Sequence, residues 1–195
     1  MTYDLITALA AFALVTSITP GPNNLMLMAS GANYGFRRTI PHMLGVALGF
    51  VLMVALVGVG LMGLFDAFPV THTVLKVAGI AYLLWLAWKI ANAGMPDTSG
   101  STGTPMTFLQ AAAFQWVNPK AWQMALTAIT LYAPERTVFS ILMVAAIFGA
   151  VNLPSVSSWT VLGQQMSRVL SSPQRLRAFN IFMAVLLVAS LLPVL

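Results

Sequence analysis

Hydrophobic residues fill this chain in long runs, and short polar stretches separate the runs. A helix needs about 20 residues to cross a hydrocarbon core of ~30 Å, and six runs have roughly that length. They lie at about residues 5–32, 40–65, 71–91, 106–133, 137–162 and 178–194. The pattern therefore predicts an all-α integral membrane protein with six transmembrane helices.

The composition agrees with that prediction. Of the 195 residues, 59% are hydrophobic and only 7% are charged, whereas soluble domains carry roughly 25% charged residues. The chain has no cysteine, which excludes a disulfide framework, a thiolate metal site and a thiol redox centre. Its nine basic residues are spread along the chain, so we expect a lipid bilayer as partner and no nucleic acid.

The cationic residues between the runs predict the orientation in the membrane. The first, third and fifth loops hold six of them, and the other side holds two, Lys76 and Arg136. Cytoplasmic loops carry the excess of Lys and Arg, so we expect both termini in the periplasm of a bacterial inner membrane. The six cytoplasmic residues are Arg37, Arg38, Lys89, Arg168, Arg175 and Arg177.

The first hydrophobic run is interrupted near its middle by TPGPNN, residues 19–24. Proline has no backbone N–H, so Pro20 cannot donate to the carbonyl of Thr16, nor can Pro22 donate to that of Ile18. An unpaired carbonyl in hydrocarbon costs several kcal/mol. Both carbonyls are therefore expected to face protein, water or a ligand.

The same motif predicts the start of a second helical piece. Gly21 permits a turn that other residues resist, and a proline suits the first helical turn. The backbone amides of Asn23, Asn24 and Leu25 are then expected to be free donors at a new helix N-terminus. The candidate substrate-binding residues of this break are Thr19, Pro20, Gly21, Pro22, Asn23 and Asn24.

The fourth run carries a similar interruption in QWVNPKAW, residues 115–122. Asn118 is a good N-cap and Pro119 suits the first helical position, which leaves the carbonyl of Gln115 without its donor. Lys120 follows in the middle of the run, where an insertion cost of at least about 2.5 kcal/mol favours a polar cavity. Asn118, Pro119 and Lys120 join the candidate site, although the sequence offers Lys120 no acidic partner.

Two interrupted runs in corresponding positions predict two inverted three-helix repeats with broken first helices. Pro20 and Pro119 are 99 residues apart, and an odd number of helices per repeat requires the second copy to be inserted upside down. Such paired breaks point to a transporter's binding site. A single transmembrane transporter domain over 1–195 is predicted, with repeat one at about 1–91, a cytoplasmic linker at about 92–105 and repeat two at about 106–195.

The chemistry of the two breaks predicts the ligand. Two helix N-termini beside Lys120 form a positive centre that suits a carboxylate. The freed carbonyls, with the side chains of Asn23, Asn24 and Asn118, suit an ammonium group. A site with both features would hold a zwitterionic amino acid, and the lack of a buried acid argues against a cationic side chain on the ligand. No cofactor and no metal ion are expected.

A third proline lies in the fifth run, within VNLPSVSSW, residues 151–159. Pro154 frees the carbonyl of Ala150, although a single proline kink in a membrane helix is usually structural. Asn152 and Pro154 are included as the weaker part of the candidate substrate-binding set.

Membrane enzymes of this size need residues that the chain lacks. A thiol reductase needs a cysteine pair, a di-metal protease needs a histidine and glutamate cluster, and a serine protease needs a histidine at the depth of its serine. The sequence has none of these arrangements, so we do not expect an enzyme. Two alternatives to a transporter stay open: a non-transporting structural or assembly subunit, and a small-metabolite channel.

Five motifs, in order along the chain, resemble the LysE/RhtB family of amino-acid exporters, most of all its cysteine and O-acetylserine branch. They are TPGPNN, GFRRT, LGVALGF, LKVAGIAYLLWLAWK and NPKAW. The resemblance covers essentially the whole chain. It implies an inner-membrane secondary transporter that exports small neutral or zwitterionic amino acids, or their derivatives, in exchange for protons. The family's motif residues fall on Pro20, Gly21, Pro22, Asn23, Asn118, Pro119, Lys120, Asn152 and Pro154. A homodimer is a further expectation.

Proton coupling usually employs a membrane-embedded acid. The four acidic residues, Asp4, Asp66, Asp97 and Glu135, all lie in loops or at the ends of the runs. Three alternatives follow: Lys120 titrates, an acid such as Asp4 reaches the cavity, or the protein is an uncoupled facilitator.

Overall fold

The structure is a computed structural model that describes residues 1–61, 67, 68, 70–93, 103–133, 135 and 137–192. Within these ranges the chain forms seven α-helices and no strand. They are α1 (Tyr3–Ile18), α2 (Pro22–Leu56), α3 (Val70–Ala91), α4 (Phe108–Phe114), α5 (Pro119–Tyr132), α6 (Val138–Val169) and α7 (Pro173–Ala189). A π-helical turn, Val57–Leu61, continues α2, and a 3-10 turn, Gln115–Val117, joins α4 to α5.

Three helical stretches in the described part of the chain are long and apolar enough to cross a membrane: Pro22–Gly60, Thr73–Ala91 and Val138–Val169. Helix α1 is shorter and also apolar. The prediction of an all-α membrane protein is therefore confirmed. Asp66, Asp97 and Arg136, which entered the sequence predictions, lie outside the described residues, as does most of the linker, at 94–102.

The predicted loop between the first and second runs is shorter than expected, because helical conformation extends into it from both sides and is interrupted only at Gly35. Gly35 alone leaves the helical conformation, with φ 78° and ψ 168°, and lets the chain change direction. Positive φ costs glycine little. Side chains pair the backbone groups at this interruption: the N–H of Phe36 donates to Gln164 Oε1 of α6 at 2.8 Å, and the hydroxyl of Thr39 donates to the Gly35 carbonyl at 2.8 Å.

The long polar loop expected over residues 163–177 is also helical at both ends. Helix α6 runs to Val169 and α7 begins at Pro173. The side chain of Ser172 caps α7 by accepting from the N–H of Arg175 at 3.3 Å. The hydropathy pattern shows only where polar residues begin. Here those polar residues belong to the end of α6 and the start of α7.

The centre of the fold is the contact between α2 and α6, where the two backbones touch. A Cβ atom added at Gly31 would lie 2.2 Å from the Thr160 carbonyl oxygen, and one added at Gly163 would lie 2.0 Å from that of Met28. Small residues permit this approach between membrane helices. The close contact fixes α2, which begins at the first break, against α6.

The first helix of each half of the chain packs against the long helix of the other half. Helix α1 packs on α6, and α4 packs on α2. Gly45 and Gly49 allow the second contact: added Cβ atoms there would lie 2.4 Å from the Phe108 carbonyl oxygen and 2.6 Å from Ala112 Cα. This exchange brings the two interrupted stretches to the same region of the bundle.

Candidate functional site

The first break lies where the sequence predicts it. Helix α1 ends at Ile18, and α2 restarts at Pro22 with Gly21 as an extended N-cap. The N–H groups of Asn23 and Asn24 have no acceptor among the described residues. The prediction of a free amide on Leu25 is wrong, since that N–H donates to the Gly21 carbonyl at 3.0 Å, as the fourth residue of a helix normally does.

Both carbonyls freed by the prolines face protein donors. The Thr16 carbonyl accepts from the Thr19 hydroxyl at 3.0 Å. The Ile18 carbonyl accepts from the indole N–H of Trp159, on α6, at 3.1 Å. Trp159 therefore has a role that its sequence position did not indicate, because its partner is 141 residues away.

The buried side chain of Asn24 holds the break in shape. Its amide N–H groups donate to the carbonyls of Ser17 at 2.7 Å and Thr19 at 2.8 Å. Asn24 was predicted to serve an ammonium ligand through its amide oxygen. In the structure its amide nitrogen serves the backbone of the break instead.

The second break is also confirmed, with one difference. Pro119 opens α5, and the Asn118 side chain caps it by accepting from the N–H of Lys120 at 3.1 Å. The carbonyl of Gln115 was expected to be free, and this is wrong. The chain tightens into a 3-10 turn over Gln115–Val117, so that carbonyl accepts from the Asn118 N–H at 3.3 Å.

The ammonium group of Lys120 reaches across to the first break. It donates to the Thr19 carbonyl at 2.8 Å, the Thr19 hydroxyl at 3.0 Å and the Pro20 carbonyl at 3.3 Å. The sequence offered this lysine no partner, yet neutral oxygens of the opposite half of the chain satisfy it. The carbonyls that were predicted to receive a ligand's ammonium group, those of Thr16 and Ile18, are occupied by protein donors, and Lys120 binds the neighbouring oxygens of Thr19 and Pro20 instead.

A second link between the breaks is a reciprocal amide pair. Asn23 Nδ2 donates to Gln115 Oε1 at 2.8 Å, and Gln115 Nε2 donates to Asn23 Oδ1 at 3.2 Å. Gln115 is fully buried and also donates to the Ala111 carbonyl at 2.9 Å. The sequence predictions used only its backbone. The sequence did contain a signal for a role of this side chain: Gln115 is an uncharged polar residue in an apolar run, four positions before Pro119.

The two restarted helices open onto one cavity. Six of the predicted residues line it: Gly21, Asn23, Asn24, Asn118, Lys120 and Asn152. Thr19 and Pro20 contact the Lys120 ammonium group at its rim, while Pro22 and Pro119 start the helices. Pro154 is exposed on an unbroken α6 and is not among the lining residues.

Several polar groups in the cavity are free to bind a ligand. The buried hydroxyl of Ser17 has no hydrogen-bond partner among the described residues. The buried side chain of Asn152 has none within the described part of the chain either. Together with the N–H groups of Asn23 and Asn24, they present donors beside a lysine. That set suits a small anionic group such as a carboxylate.

The described residues that line the cavity include no carboxylate. Asp4 is exposed in the first turn of α1. It lies about 18 Å along the helix from Thr16, at 1.5 Å per residue. The alternative in which Asp4 reaches the cavity is therefore not supported by its position.

The amide pair gives a stability prediction. Asn23→Leu or Gln115→Met leaves a polar partner unpaired, so each should lower the free energy of unfolding in detergent micelles by about 1–3 kcal/mol. The double variant should lose at least about 0.5 kcal/mol less than the sum, because the pair can be lost only once. Asn92→Leu, at an exposed helix end, is the matched control and should change stability by less than about 0.5 kcal/mol. Strict additivity would contradict the pairing.

Apolar helices with paired breaks that open onto one polar cavity define a membrane transport protein rather than an enzyme. The chain belongs to the LysE type translocator family, whose model matches residues 14–190. The family resemblance found in the sequence is thereby confirmed.

Similar proteins extend over almost the whole chain. The cysteine/O-acetylserine efflux protein of Escherichia coli (strain K12) is 31% identical over 190 residues, which cover 96% of each chain. Its namesake in Shigella sonnei (strain Ss046) gives the same values. The one in Escherichia coli O139:H28 (strain E24377A / ETEC) is 30% identical over the same share of both chains. No solved structure matches this chain.

Proposed function

We propose that this protein exports small neutral or zwitterionic amino acids, or their derivatives, across the bacterial inner membrane as a secondary transporter. Family membership and relatives named for cysteine and O-acetylserine efflux support this substrate class. Both compounds combine an ammonium group and a carboxylate with an uncharged side chain. The described lining of the cavity offers no carboxylate to attract a cationic side chain.

The observation that carries the proposal is the position of the Lys120 ammonium group on the oxygens of Thr19 and Pro20. It identifies a cluster of oxygens that binds an ammonium group between the two breaks. A substrate's ammonium group would take these oxygens and release Lys120. The freed lysine would then pair with the substrate's carboxylate, alongside the N–H groups of Asn23 and Asn24.

This exchange keeps one ammonium group on the first break whether or not substrate is present. In the empty protein Lys120 links the two halves of the chain across the cavity. Once substrate binds, its ammonium group contacts the oxygens of the first break and its carboxylate contacts Lys120. The substrate's contacts thus offset those that Lys120 gives up, and the cavity is relieved of an unpaired charge.

The substrate site is proposed to consist of the two breaks and the neighbouring face of α6. Its members are Thr19, Pro20, Gly21, Pro22, Asn23, Asn24, Asn118, Pro119, Lys120 and Asn152. Pro154 is assigned a part in shaping α6, because its ring is exposed away from the cavity lining. Ser17 joins the set as a free hydroxyl, and Gln115 holds Asn23 in place.

The proposed architecture is one domain over 1–195 with two inverted three-helix repeats. Helix α1 with the start of α2 would form the first span and the rest of α2 the second, with α3 the third. Helices α4 and α5 together, then α6, then α7 would form the other three. The exchanged packing of α1 on α6 and of α4 on α2 supports this division. Rocking of the repeats would expose the site to each face in turn, with both termini in the periplasm.

Reconstituted liposomes test the proposal. Labelled O-acetylserine should show saturable counterflow that unlabelled cysteine inhibits and arginine does not. Flux that rises without saturation would indicate the channel alternative, and neither flux nor binding would indicate a structural subunit. A proton gradient across the same liposomes tests exchange directly: acceleration supports proton coupling, and no response identifies a facilitator.

A further inference from the structure

A second cavity lies farther along α2. It shares no lining residue with the first cavity, and its lining begins at Met26, two residues beyond Asn24. The two cavities therefore follow one another along the same helix. The second is bounded by the start of α2, the end of α3 and the segment 104–106.

His42 is a fully buried polar residue in the lining of this second cavity. Its side chain is only 1% exposed, and neither ring nitrogen has a hydrogen-bond partner among the described residues. Buried polar groups are nearly always paired, so an unpaired one calls for an explanation. A neutral imidazole offers one donor and one acceptor, and a ligand in the cavity could use both.

Two more groups in the cavity are available to a ligand. The Lys89 ammonium group lies over the Trp85 ring, 5.5 Å from its centroid, and has no hydrogen bond within the described ranges. The hydroxyl of Tyr34 is likewise unpaired among those residues. The nearby amide of Asn33 is already committed to Asn180 at 2.8 Å. The free groups are thus a cation, a phenol and an imidazole.

We infer that this cavity is a second binding site for a zwitterionic amino acid. Lys89 and Tyr34 would bind its carboxylate, and an imidazole nitrogen of His42 would accept from its ammonium group. The inference rests on the proposed function, which supplies the ligand class. Lys89 belongs to the cationic set that predicts the cytoplasmic face, so the site would hold substrate on that side before it reaches the broken helices.

Equilibrium binding of labelled O-acetylserine to the full chain in detergent tests the inference. The wild-type protein should bind two molecules per chain. His42→Leu and Lys120→Met should each retain one, and the double variant should bind none. Lys76→Met, an exposed lysine on α3, is the matched control and should still bind two.

The outcomes separate the two proposals. One molecule per wild-type chain, lost in Lys120→Met and kept in His42→Leu, would overturn the second site alone. No binding by the wild-type protein would overturn both. If His42→Leu does not fold, Lys89→Met with Tyr34→Phe replaces it, and the same loss of one molecule is expected. Undiminished binding of two by that pair would reject the second site.

Transport measured separately from each face of the membrane, in liposomes that hold the protein in a known orientation, gives an independent check. His42→Leu should raise KM for O-acetylserine about tenfold when substrate is supplied at the cytoplasmic face, the equivalent of one lost hydrogen bond to a charged group. It should change KM less than about twofold at the periplasmic face, where substrate meets the broken helices first. Equal changes on both faces would assign His42 a structural role and overturn the inference.

Discussion

Lys120→Met should lower export of O-acetylserine by about 10- to 150-fold, while the protein still folds and reaches the membrane. The variant removes the only cation among the described residues that line the first cavity. Methionine keeps the length of the side chain and loses its charge. Loss of a charge-assisted pair with the substrate's carboxylate is worth about 1.5–3 kcal/mol, which corresponds to roughly 10- to 150-fold.

Efflux from cells and counterflow in liposomes measure this effect. Lys76→Met is the matched control, because Lys76 is an exposed lysine on α3, and it should export at the wild-type rate. Lys120→Arg should recover only part of the activity, since a planar guanidinium does not fit oxygens arranged around a compact ammonium group. Export by Lys120→Met at the wild-type rate would refute the role proposed for this lysine.

Gly163→Ala should destabilise the protein by about 3 kcal/mol or more, at the upper end of what overpacking costs. The added Cβ would lie 2.0 Å from the Met28 carbonyl oxygen and 3.0 Å from the Ala32 nitrogen. Both obstacles are backbone atoms of α2, so no side-chain rotation can relieve them. The helices would have to separate at the centre of the fold.

Gly149→Ala on the same helix is the matched control. Its added Cβ would meet only the Cγ2 atom of Val51, at 2.6 Å, and a valine methyl can move. Any clash is partly offset by the roughly 1 kcal/mol gained when alanine replaces glycine in a helix. The free energy of unfolding in micelles and the yield of monodisperse protein measure both variants. Similar losses for the two would contradict the close contact of α2 with α6.

The helix breaks could be predicted from the sequence because their causes are local. A proline lacks its N–H wherever it stands, and an asparagine before a proline caps a helix in any fold. The restarts at Pro22 and Pro119 therefore needed no knowledge of the rest of the chain. The helical residues next to Gly35 and at the end of α6 were missed because hydropathy reports polarity, and a helix can carry polar residues past the apolar run.

The partners of the site residues could not be predicted in the same way. Lys120 and Thr19 are 101 residues apart, and Asn23 and Gln115 are 92 apart. Each pair forms only because the halves of the chain exchange their packing. The sequence predicted freed carbonyls at the first break and a lysine at the second, and only the fold shows that this lysine reaches the oxygens of Thr19 and Pro20 beside those carbonyls.

That arrangement has a consequence for ions. In transporters with broken helices, unwound backbone carbonyls commonly coordinate sodium, which couples transport to the sodium gradient. Here the carbonyls of Thr19 and Pro20 already hold a cation that is covalently attached to the chain. In the proposed carrier, the Lys120 ammonium group would take the place that a sodium ion has in such transporters. The proposal therefore predicts that the empty carrier binds no sodium or potassium ion on the oxygens of Thr19 and Pro20.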